Sequence, residues 1–314
     1  MNTIRQPDKI IFGMNSTKDF SFEKNSLIIT SSGAKSRGWL DYLNVKNFHL
    51  FDSVEPNPSM ETVEKILSEY NQNFSSIIGL GGGSSLDVAK FVAHKLKIKK
   101  ILIPTTFGSG SEVTRISVLQ VNGKKTSFHN DHLLADISIV DPFFIKNAPI
   151  NVIKNSAIDA CAQCSESFDS KMANNYTKFL CKTAFNILET AIINEKYTDL
   201  AYGAMISGLG FGNSGTTLGH ALSYVFSNEG FSHGHALAFT TTAAHKFNNS
   251  EFYDRFKKLV EHFNFDHIHL TQNISDAAKI IQSDKKHLDN NPVDVTMEDI
   301  IYLLELINSE KVFR

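Results

Sequence analysis

The second half of the chain contains residues of the types that bind divalent metal ions. Asp159 and Gln163 are four residues apart in a helix-like segment, so their side chains share one helix face. His220 and His233 follow, thirteen residues apart and separated by the loop-like sequence SNEG. One carboxylate and two imidazoles with an open position could hold Zn²⁺ or Fe²⁺. Because the chain has 12 histidines, chance also produces such spacings.

A glycine-rich stretch in the first half has the composition of a phosphate-binding turn. The sequence GLGGGSSLDVAKF at 79–91 follows an apolar run and enters a helical pattern. Glycines allow close approach of a phosphate, and the N-terminus of a helix offers N–H groups to it. The stretch lacks the G-K-[ST] of a Walker loop and is not G-x-G-x-x-G, which disfavours a nucleoside triphosphatase. A tight strand-to-helix turn is the alternative, but it would not require this many glycines.

A second loop rich in hydroxyls and glycines, IPTTFGSGSEVTRIS at 103–117, also leaves an apolar run. Two such loops at the carboxyl edge of a parallel sheet would lie side by side, as a dinucleotide site requires. The two loops together therefore favour a dinucleotide over a lone phosphate.

Short apolar runs alternate with helical segments in the first half. We predict four strands, at 26–30, 48–51, 75–80 and 99–106, and a hairpin at 119–129 that turns at Asn122-Gly123. This alternation indicates βαβ units and a parallel sheet covered on both faces. From about Pro149 onward the pattern is helical, so we predict an α/β domain at 1–147 and a helical domain at 148–314.

Composition and charge exclude several classes of protein. The chain is 42% apolar with a net charge of −2, and no Lys/Arg stripe suggests nucleic-acid binding. We find no apolar run near the roughly 18 residues of a membrane span, and no signal-peptide layout at the start. Cys161 and Cys164 form a C-x-x-C inside a helical pattern, where buried packing is favoured over a redox or zinc site. We expect a cytoplasmic protein with neither nucleic-acid nor membrane partners.

Four ordered motifs resemble those of the iron-containing (group III) alcohol dehydrogenase family: GGGSSLDVAK, IPTTFGSGSEVT, IVDP and GHALSYVFSNEGFSHGHALAF. The similarity covers essentially the whole chain. It implies a Rossmann-like α/β nucleotide-binding domain followed by an all-α domain, in a dehydroquinate synthase-like architecture. The glutamine at 163 and the pattern HALSY…HGHA further resemble the phosphonoacetaldehyde reductase-like branch.

The resemblance also implies roles for individual residues. Those expected around the cofactor pyrophosphate are Gly81, Gly82, Gly83, Ser84 and Asp87. Those expected near the nicotinamide half are Thr105, Thr106 and Ser111, with Lys125 reaching the cofactor. The expected metal ligands are Asp159, His220 and His233, with help from Gln163.

Two positions depart from the family pattern. Gln163 stands where the family has a histidine, which removes a nitrogen donor and suits Fe²⁺ or Mn²⁺ better than Zn²⁺. Tyr224 stands four residues after His220, where many members carry another histidine. A phenol with an ordinary pKa near 10 could donate a proton to an alkoxide, so we expect Tyr224 to act as an acid.

The choice of cofactor depends on the residue after the strand at 26–30, where many NAD-dependent members have an aspartate that binds the ribose 2′-OH. Here Ser31 follows, and no carboxylate occurs before Lys35 and Arg37, which could bind a 2′-phosphate. We therefore favour NADPH over NADH.

These patterns predict a metal-dependent, NAD(P)H-linked reductase that interconverts a small aldehyde and its primary alcohol, with Fe²⁺ or Zn²⁺ as the metal. Phosphonate and sugar-derived aldehydes are candidate substrates, and we expect a homodimer or a larger homo-oligomer. One alternative is a dehydroquinate synthase-like lyase or cyclase. The other is a non-catalytic cofactor-binding protein whose metal site has decayed through Gln163.

Overall fold

The computed structural model describes residues 2–70, 72–309 and 312. The chain divides into two compact units, Met1–Ala148 and Pro149–Arg314. All strands of the described residues lie in the first unit, and the second is helical. The predicted fold class, a parallel α/β part followed by an all-α part, is confirmed.

The first unit contains the strands β1 (Lys9–Phe12), β2 (Leu27–Ile29), β3 (His49–Phe51), β4 (Ile77–Gly81), β5 (Lys100–Pro104), β6 (Ile116–Val121), β7 (Lys124–His129) and β8 (Ile137–Val140). Six of them form one parallel sheet in the order β1-β8-β5-β4-β2-β3. The other two, β6 and β7, form an antiparallel hairpin. Asn122 and Gly123 at its turn have φ angles of 52° and 75°, as a two-residue hairpin turn requires.

The helices of the first unit are α1 (Gly33–Ser36), α2 (Trp39–Leu43), α3 (Met60–Glu69) and α4 (Gly83–Leu96). Leu27 and Ile29 of β2 pack into one apolar cluster with residues of α3 and α4. Ile28, between them, packs into a second cluster with residues of α1 and α2. Because successive strand residues point to opposite faces, the two clusters show that the sheet is buried on both sides.

The order of the strands reverses beside β2. The chain passes from β2 to its neighbour β3 on one side, and then returns to β4 on the other side. It continues outward through β5 and β8. In parallel sheets, ligands bind outside the carboxyl ends of the strands at such a reversal. Ser31, after β2, and the glycine-rich stretch, after β4, flank this position.

The second unit consists of α5 (Ile150–Asp169), α6 (Asn175–Ile193), α7 (Leu200–Ser214), α8 (Leu218–Asn228), α9 (His233–Phe247), α10 (Tyr253–Phe263), α11 (Ile274–Gln282), α12 (Lys285–Asn290) and α13 (Met297–Asn308). Its central helix, α5, packs against α6, α7 and α9. Every residue of α5 from Ala157 to Ser167 is buried. Polar side chains in this part of α5 therefore need partners inside the protein.

The C-x-x-C pair lies in the buried part of α5. Cys161 and Cys164 are fully buried, and burial raises the pKa of both thiols. Protonated, inaccessible thiols act as small packing residues rather than as nucleophiles. None of the described helices is both long and apolar enough to cross a bilayer.

Candidate functional site

Three polar residues of α5 face one another along the helix at positions i, i+4 and i+7: Asp159, Gln163 and Glu166. They are only 9%, 5% and 1% exposed, respectively. Asp159 and Gln163 were recognised in the sequence, whereas Glu166 was not. The i+7 spacing was available as a signal, but the helix is buried all round, so no polar stripe marks this face.

The imidazoles of His220 on α8 and His233 at the start of α9 lie beside Asp159. Both Nε2 atoms are 3.9 Å from Oδ1 of Asp159. The candidate ligand atoms of the three residues all lie within 4.8 Å of one another, close enough to share one metal ion. The structure thus brings together the three residues that the sequence singled out, although they are 61 and 13 positions apart along the chain.

The other ring nitrogen of each histidine has a partner of its own. Nδ1 of His220 lies 2.8 Å from Oε2 of Glu166, and Nδ1 of His233 lies 3.4 Å from Oγ of Ser223. A carboxylate on Nδ1 fixes the proton there and leaves Nε2 as the lone-pair nitrogen. Glu166 therefore orients His220 for a ligand on the Asp159 side.

Two glycines next to the histidines permit this close packing. A Cβ at Gly219 would lie 1.9 Å from Oε1 of Glu166, and one at Gly234 would lie 2.1 Å from the backbone oxygen of Asn155 on α5. Any side chain at these positions would push α8 or α9 away from α5. The lack of room for a side chain thus explains why glycine precedes His220 and follows His233.

Gln163 has an amide that suits a cation. Its Nε2 donates to Oδ1 of Asp159 at 2.9 Å, whereas its Oε1 is buried and has no hydrogen-bond partner within the described part of the chain. A buried carbonyl oxygen without a partner costs about 1–3 kcal/mol. A metal ion held by Asp159 and the two imidazoles would give this oxygen a partner. The residues present therefore fit a divalent ion.

The charges of the cluster are set by burial and by neighbouring groups. Burial raises the pKa of Asp159 to about 6, against the opposing effects of His220 and Gln163. Burial alone would lower the pKa of His220, but the charge and the hydrogen bond of Glu166 raise it overall. Protons thus compete with a cation at both residues, so metal binding should release protons and weaken as the pH falls below about 6.

Four aromatic side chains at this site contact one another and are here called the four-ring cluster: His220, His233, Tyr224 and His287. His287, on α12, was not identified from the sequence, because nothing in its spacing relates it to the other three residues. Burial and the charge of Asp284 raise the pKa of Tyr224 well above its usual value. Tyr224 thus keeps its proton and can act as a hydrogen-bond donor, and its role as an acid stays a prediction.

The two loops of the first unit lie against each other, as predicted. Gly81 at the end of β4 pairs with Pro104 of β5, and its oxygen accepts from the backbone N–H of Thr105 at 2.9 Å. A Cβ at Gly82 would lie 3.0 Å from Oγ1 of Thr106, and one at Gly83 would lie 3.0 Å from Oγ of Ser109. Because Gly82 and Gly83 have no side chains, a narrow space remains between the two loops.

The N-terminus of α4 opens into this space. Its N-cap is Gly82, and no described side chain caps the helix or places an acidic group in its first turn, where Ser84 lies. Unpaired N–H groups and the positive end of the helix dipole attract anions. This cradle fits the pyrophosphate of a dinucleotide.

Asp87 connects α4 to the second loop. Its carboxylate accepts from Oγ of Ser111 at 2.6 Å and from the backbone N–H of Val118 at 2.9 Å. Lys90, fully buried, lies 3.9 Å away and donates to the oxygen of Ile116. Asp87 and Ser111 therefore join α4 to the second loop and support the cradle from behind. A contact between Asp87 and the cofactor stays a prediction.

Two further predicted cofactor residues have less defined surroundings. Ser31 lies between β2 and α1. The guanidinium of Arg37, which follows α1, lies 5.0 Å from the centre of the Trp39 ring. Lys125 lies on β7, opposite Gln120. Their contacts with a cofactor stay predictions.

Models of one protein family match both halves of the chain. The model of the iron-containing alcohol dehydrogenase family matches residues 7–142, and the model of the family's C-terminal region matches residues 153–292. The chain belongs to the iron-containing alcohol dehydrogenase family. The family name implies a divalent metal, and the predicted membership is confirmed.

The alignments with similar proteins of known name cover only part of each relative. The long-chain-alcohol dehydrogenase 1 of Geobacillus thermodenitrificans is 33% identical over 64% of this chain and 60% of that protein. The 4-hydroxybutyrate dehydrogenase of Clostridium kluyveri is 31% identical over 53% of each. The chain thus matches less than two thirds of the length of these relatives.

Solved structures support the fold. The iron-containing alcohol dehydrogenase of Thermotoga maritima has a TM-score of 0.86 and 23% identity, covering 98% of this chain and 100% of that one. The sulfoacetaldehyde reductase of Bifidobacterium kashiwanohense, solved with NAD⁺, has a TM-score of 0.88 and 23% identity, covering 98% and 99%.

Replacing Glu166 by glutamine should weaken metal binding without unfolding the protein. The amide can donate to Nδ1 of His220, which would move the ring proton to Nε2, the atom aimed at Asp159. We expect the affinity for Fe²⁺ or Zn²⁺ to fall about tenfold or more, measured by competition with a chelator. Asp169→Asn, on the same helix but bonded to Ser250, is the matched control and should keep its metal affinity. Equal affinity in wild type and Glu166→Gln would contradict the orienting role.

Gly82→Ala should lower the affinity for the dinucleotide. The added methyl group would press on Thr106 and enter the space in front of the α4 N–H groups. We expect a loss on the order of tenfold or more in a fluorescence or calorimetric titration. Gly123→Ala, strained by its φ of 75° in the hairpin turn, should lose stability but keep its affinity. If both variants bind equally well, the cradle does not hold the pyrophosphate.

Proposed function

We propose that the chain is a metal-dependent, NAD(P)H-linked alcohol dehydrogenase that reduces a small aldehyde to its primary alcohol. The observation that carries this proposal is the set of ligand atoms of Asp159, His220 and His233, which lie within 4.8 Å of one another. Each imidazole also has its second nitrogen held in place. A chance grouping of histidines would not account for these supporting contacts.

Each residue of the site has a part in this reaction. Asp159, His220 and His233 would hold the ion, and Oε1 of Gln163 would complete its protein ligands. When bound, the ion would polarise the aldehyde carbonyl, and the reduced nicotinamide would supply the hydride. Tyr224, whose raised pKa keeps it protonated, would donate a hydrogen bond to the substrate oxygen. With an amide in place of a nitrogen donor, the site favours Fe²⁺ over Zn²⁺.

The proposed substrate is a small aldehyde, and anionic aldehydes are the first to test. By their names, two of the similar proteins act on small anionic compounds, 4-hydroxybutyrate and sulfoacetaldehyde. We keep phosphonate and sugar-derived aldehydes as candidates, and the homodimer or larger homo-oligomer as part of the proposal. The lyase or cyclase alternative would use the cofactor without net turnover.

A panel of aldehydes assayed with NADH and NADPH, with Fe²⁺ or Zn²⁺ added, tests the activity. Gln163→Ala should lose metal affinity about tenfold and regain part of its activity in excess metal, because one ligand is missing. Gln163→His should bind Zn²⁺ more tightly than wild type, since Zn²⁺ prefers nitrogen donors. If wild-type protein binds no metal and His220→Ala changes nothing, the non-catalytic alternative is correct.

NADPH is the proposed cofactor, because Ser31 follows β2 and the cations of Lys35 and Arg37 come shortly after it. Ser31→Asp should shift preference toward NADH, because a carboxylate repels the 2′-phosphate and accepts from the 2′-OH. We expect the ratio of the two kcat/KM values to change by roughly tenfold, or 1.4 kcal/mol. Ser36→Asp, on the exposed end of α1, adds the same charge as a control. An unchanged ratio in Ser31→Asp would show that this strand end does not face the adenosine ribose.

A further inference from the structure

His287 completes a closed circuit of ring contacts that includes two of the candidate metal ligands. Within the four-ring cluster, the ring centres of His220 and His233 are 5.5 Å apart, and those of His233 and Tyr224 are 6.3 Å apart. Tyr224 and His287 follow at 5.7 Å, and His287 and His220 complete the circuit at 6.3 Å. An imidazole from α12 therefore lies against both a candidate metal ligand and the candidate hydrogen-bond donor.

Asp284 fixes the orientation of this imidazole. Its Oδ2 lies 2.6 Å from Nδ1 of His287, and its Oδ1 accepts from the backbone N–H of the same residue. Nδ1 is therefore engaged in a hydrogen bond with Asp284, whereas Nε2 has no hydrogen-bond partner among the described residues. The His287 side chain as a whole is only 8% exposed, so the protein around it holds the ring in place. A carboxylate on Nδ1 makes Nε2 the nitrogen that exchanges protons.

The short helix α12 is itself anchored to the segment that leads into α8. Nδ2 of Asn290 donates to the backbone oxygens of Ser214 at 2.8 Å and Thr216 at 3.2 Å. Oδ1 of Asn291 accepts from the backbone N–H of Leu218 at 3.4 Å. These bonds hold α12 against the start of the helix that carries His220 and Tyr224. The position of His287 is therefore built into the fold, as a reacting group requires.

We propose that His287 is a catalytic residue that donates the proton to the carbonyl oxygen of the aldehyde, with Asp284 as its positioning residue. The proposal rests on the proposed function. A hydride from the reduced nicotinamide dinucleotide forms the new C–H bond as the C=O π bond breaks. The Nε2–H bond of His287 breaks, and its proton forms the O–H bond of the alcohol. The aldehyde is reduced and the nicotinamide is oxidised. The ring, which carries a proton on each nitrogen before the step, keeps Nδ1–H toward Asp284 and takes a new proton at Nε2 from solvent.

This assignment divides two tasks between neighbouring side chains. Tyr224 donates a hydrogen bond to the oxygen, while His287, with a carboxylate behind it, exchanges the proton. In the direction of alcohol oxidation, neutral His287 accepts the proton at Nε2 from the hydroxyl group. General acid–base groups of this kind contribute about 10²–10⁴-fold to rate.

The test compares His287→Asn with His287→Gln, using the holoenzyme and the most active aldehyde of the panel. Asparagine keeps a donor toward Asp284 but removes the atom at Nε2, whereas the longer glutamine places an amide near that atom. We expect kcat of His287→Asn to fall by about 100-fold or more, and that of His287→Gln to fall less. Metal content, dinucleotide affinity and the unfolding temperature should stay near those of wild type in both variants.

Chemical rescue separates proton transfer from packing. Imidazole added to His287→Ala should restore activity about tenfold or more, and it should not raise the activity of wild type or of Tyr224→Phe. Asp284→Asn should lower kcat less than His287→Asn does, because the ring remains. His262→Ala, an exposed histidine of α10, controls for the loss of a histidine elsewhere and should be as active as wild type.

Several results would overturn the proposal. Wild-type activity in His287→Asn, or a failure of imidazole to rescue His287→Ala, would remove His287 from the proton step. Loss of metal from His287→Asn would make His287 a ligand or a structural support instead. In these cases wild type still reduces the aldehyde, so the proposed function stands. If wild type itself reduces no aldehyde with either cofactor and added metal, the proposed function fails, and the proposal fails with it.

Discussion

The hydrogen bond between Glu166 and His220 is the interaction on which the second unit's site depends. It joins a carboxylate that is 1% exposed to an imidazole that is 5% exposed, so neither partner can be satisfied by water. The bond brings α8 so close to α5 that only glycine fits at position 219. Removing either partner would leave a buried charge or an unoriented ring. The helix packing and the metal-ligand geometry are thus two results of one contact.

The first unit meets a similar constraint by a different route. Its site forms where the strand order reverses, and two loops must approach closely beside the N-terminus of α4. Gly82 has a φ of −74°, which any residue can adopt, so backbone conformation does not require glycine there. Glycine is required instead because a side chain would press on Thr106 and fill the space in front of the helix. Asp87 and Lys90, both buried, keep the loops in register from behind. Polar residues that bond to the loops, such as Asp87 and Lys90, therefore also shape this site.

The sequence predicted what periodicity and type reveal, and missed what depends on distant contacts. Alternating strands and helices, the two adjacent loops and the grouping of Asp159 with two histidines all follow from local pattern. The strands β1 and β8, each of four residues, were not predicted. The part that Asp87 plays in joining α4 to the second loop was not predicted, because its partners, Ser111 and Val118, lie 24 and 31 residues away. His287 was missed because it is one of 12 histidines and no spacing connects it to the site.

The state of Gln163 decides between an adapted site and a decayed one. Its Nε2 is bonded to Asp159, which turns Oε1 toward a position with no described protein partner. Leaving that oxygen buried without a partner costs about 1–3 kcal/mol of stability. Burying the carboxylate of Asp159 is a second cost, since burial raises its pKa to about 6. Both costs are recovered when a cation binds and neither when the site is bare. A site that had lost its ion would gain by replacing these groups with apolar side chains. Their presence therefore supports the proposed function, in which the site is adapted to a cation with one oxygen ligand in place of nitrogen.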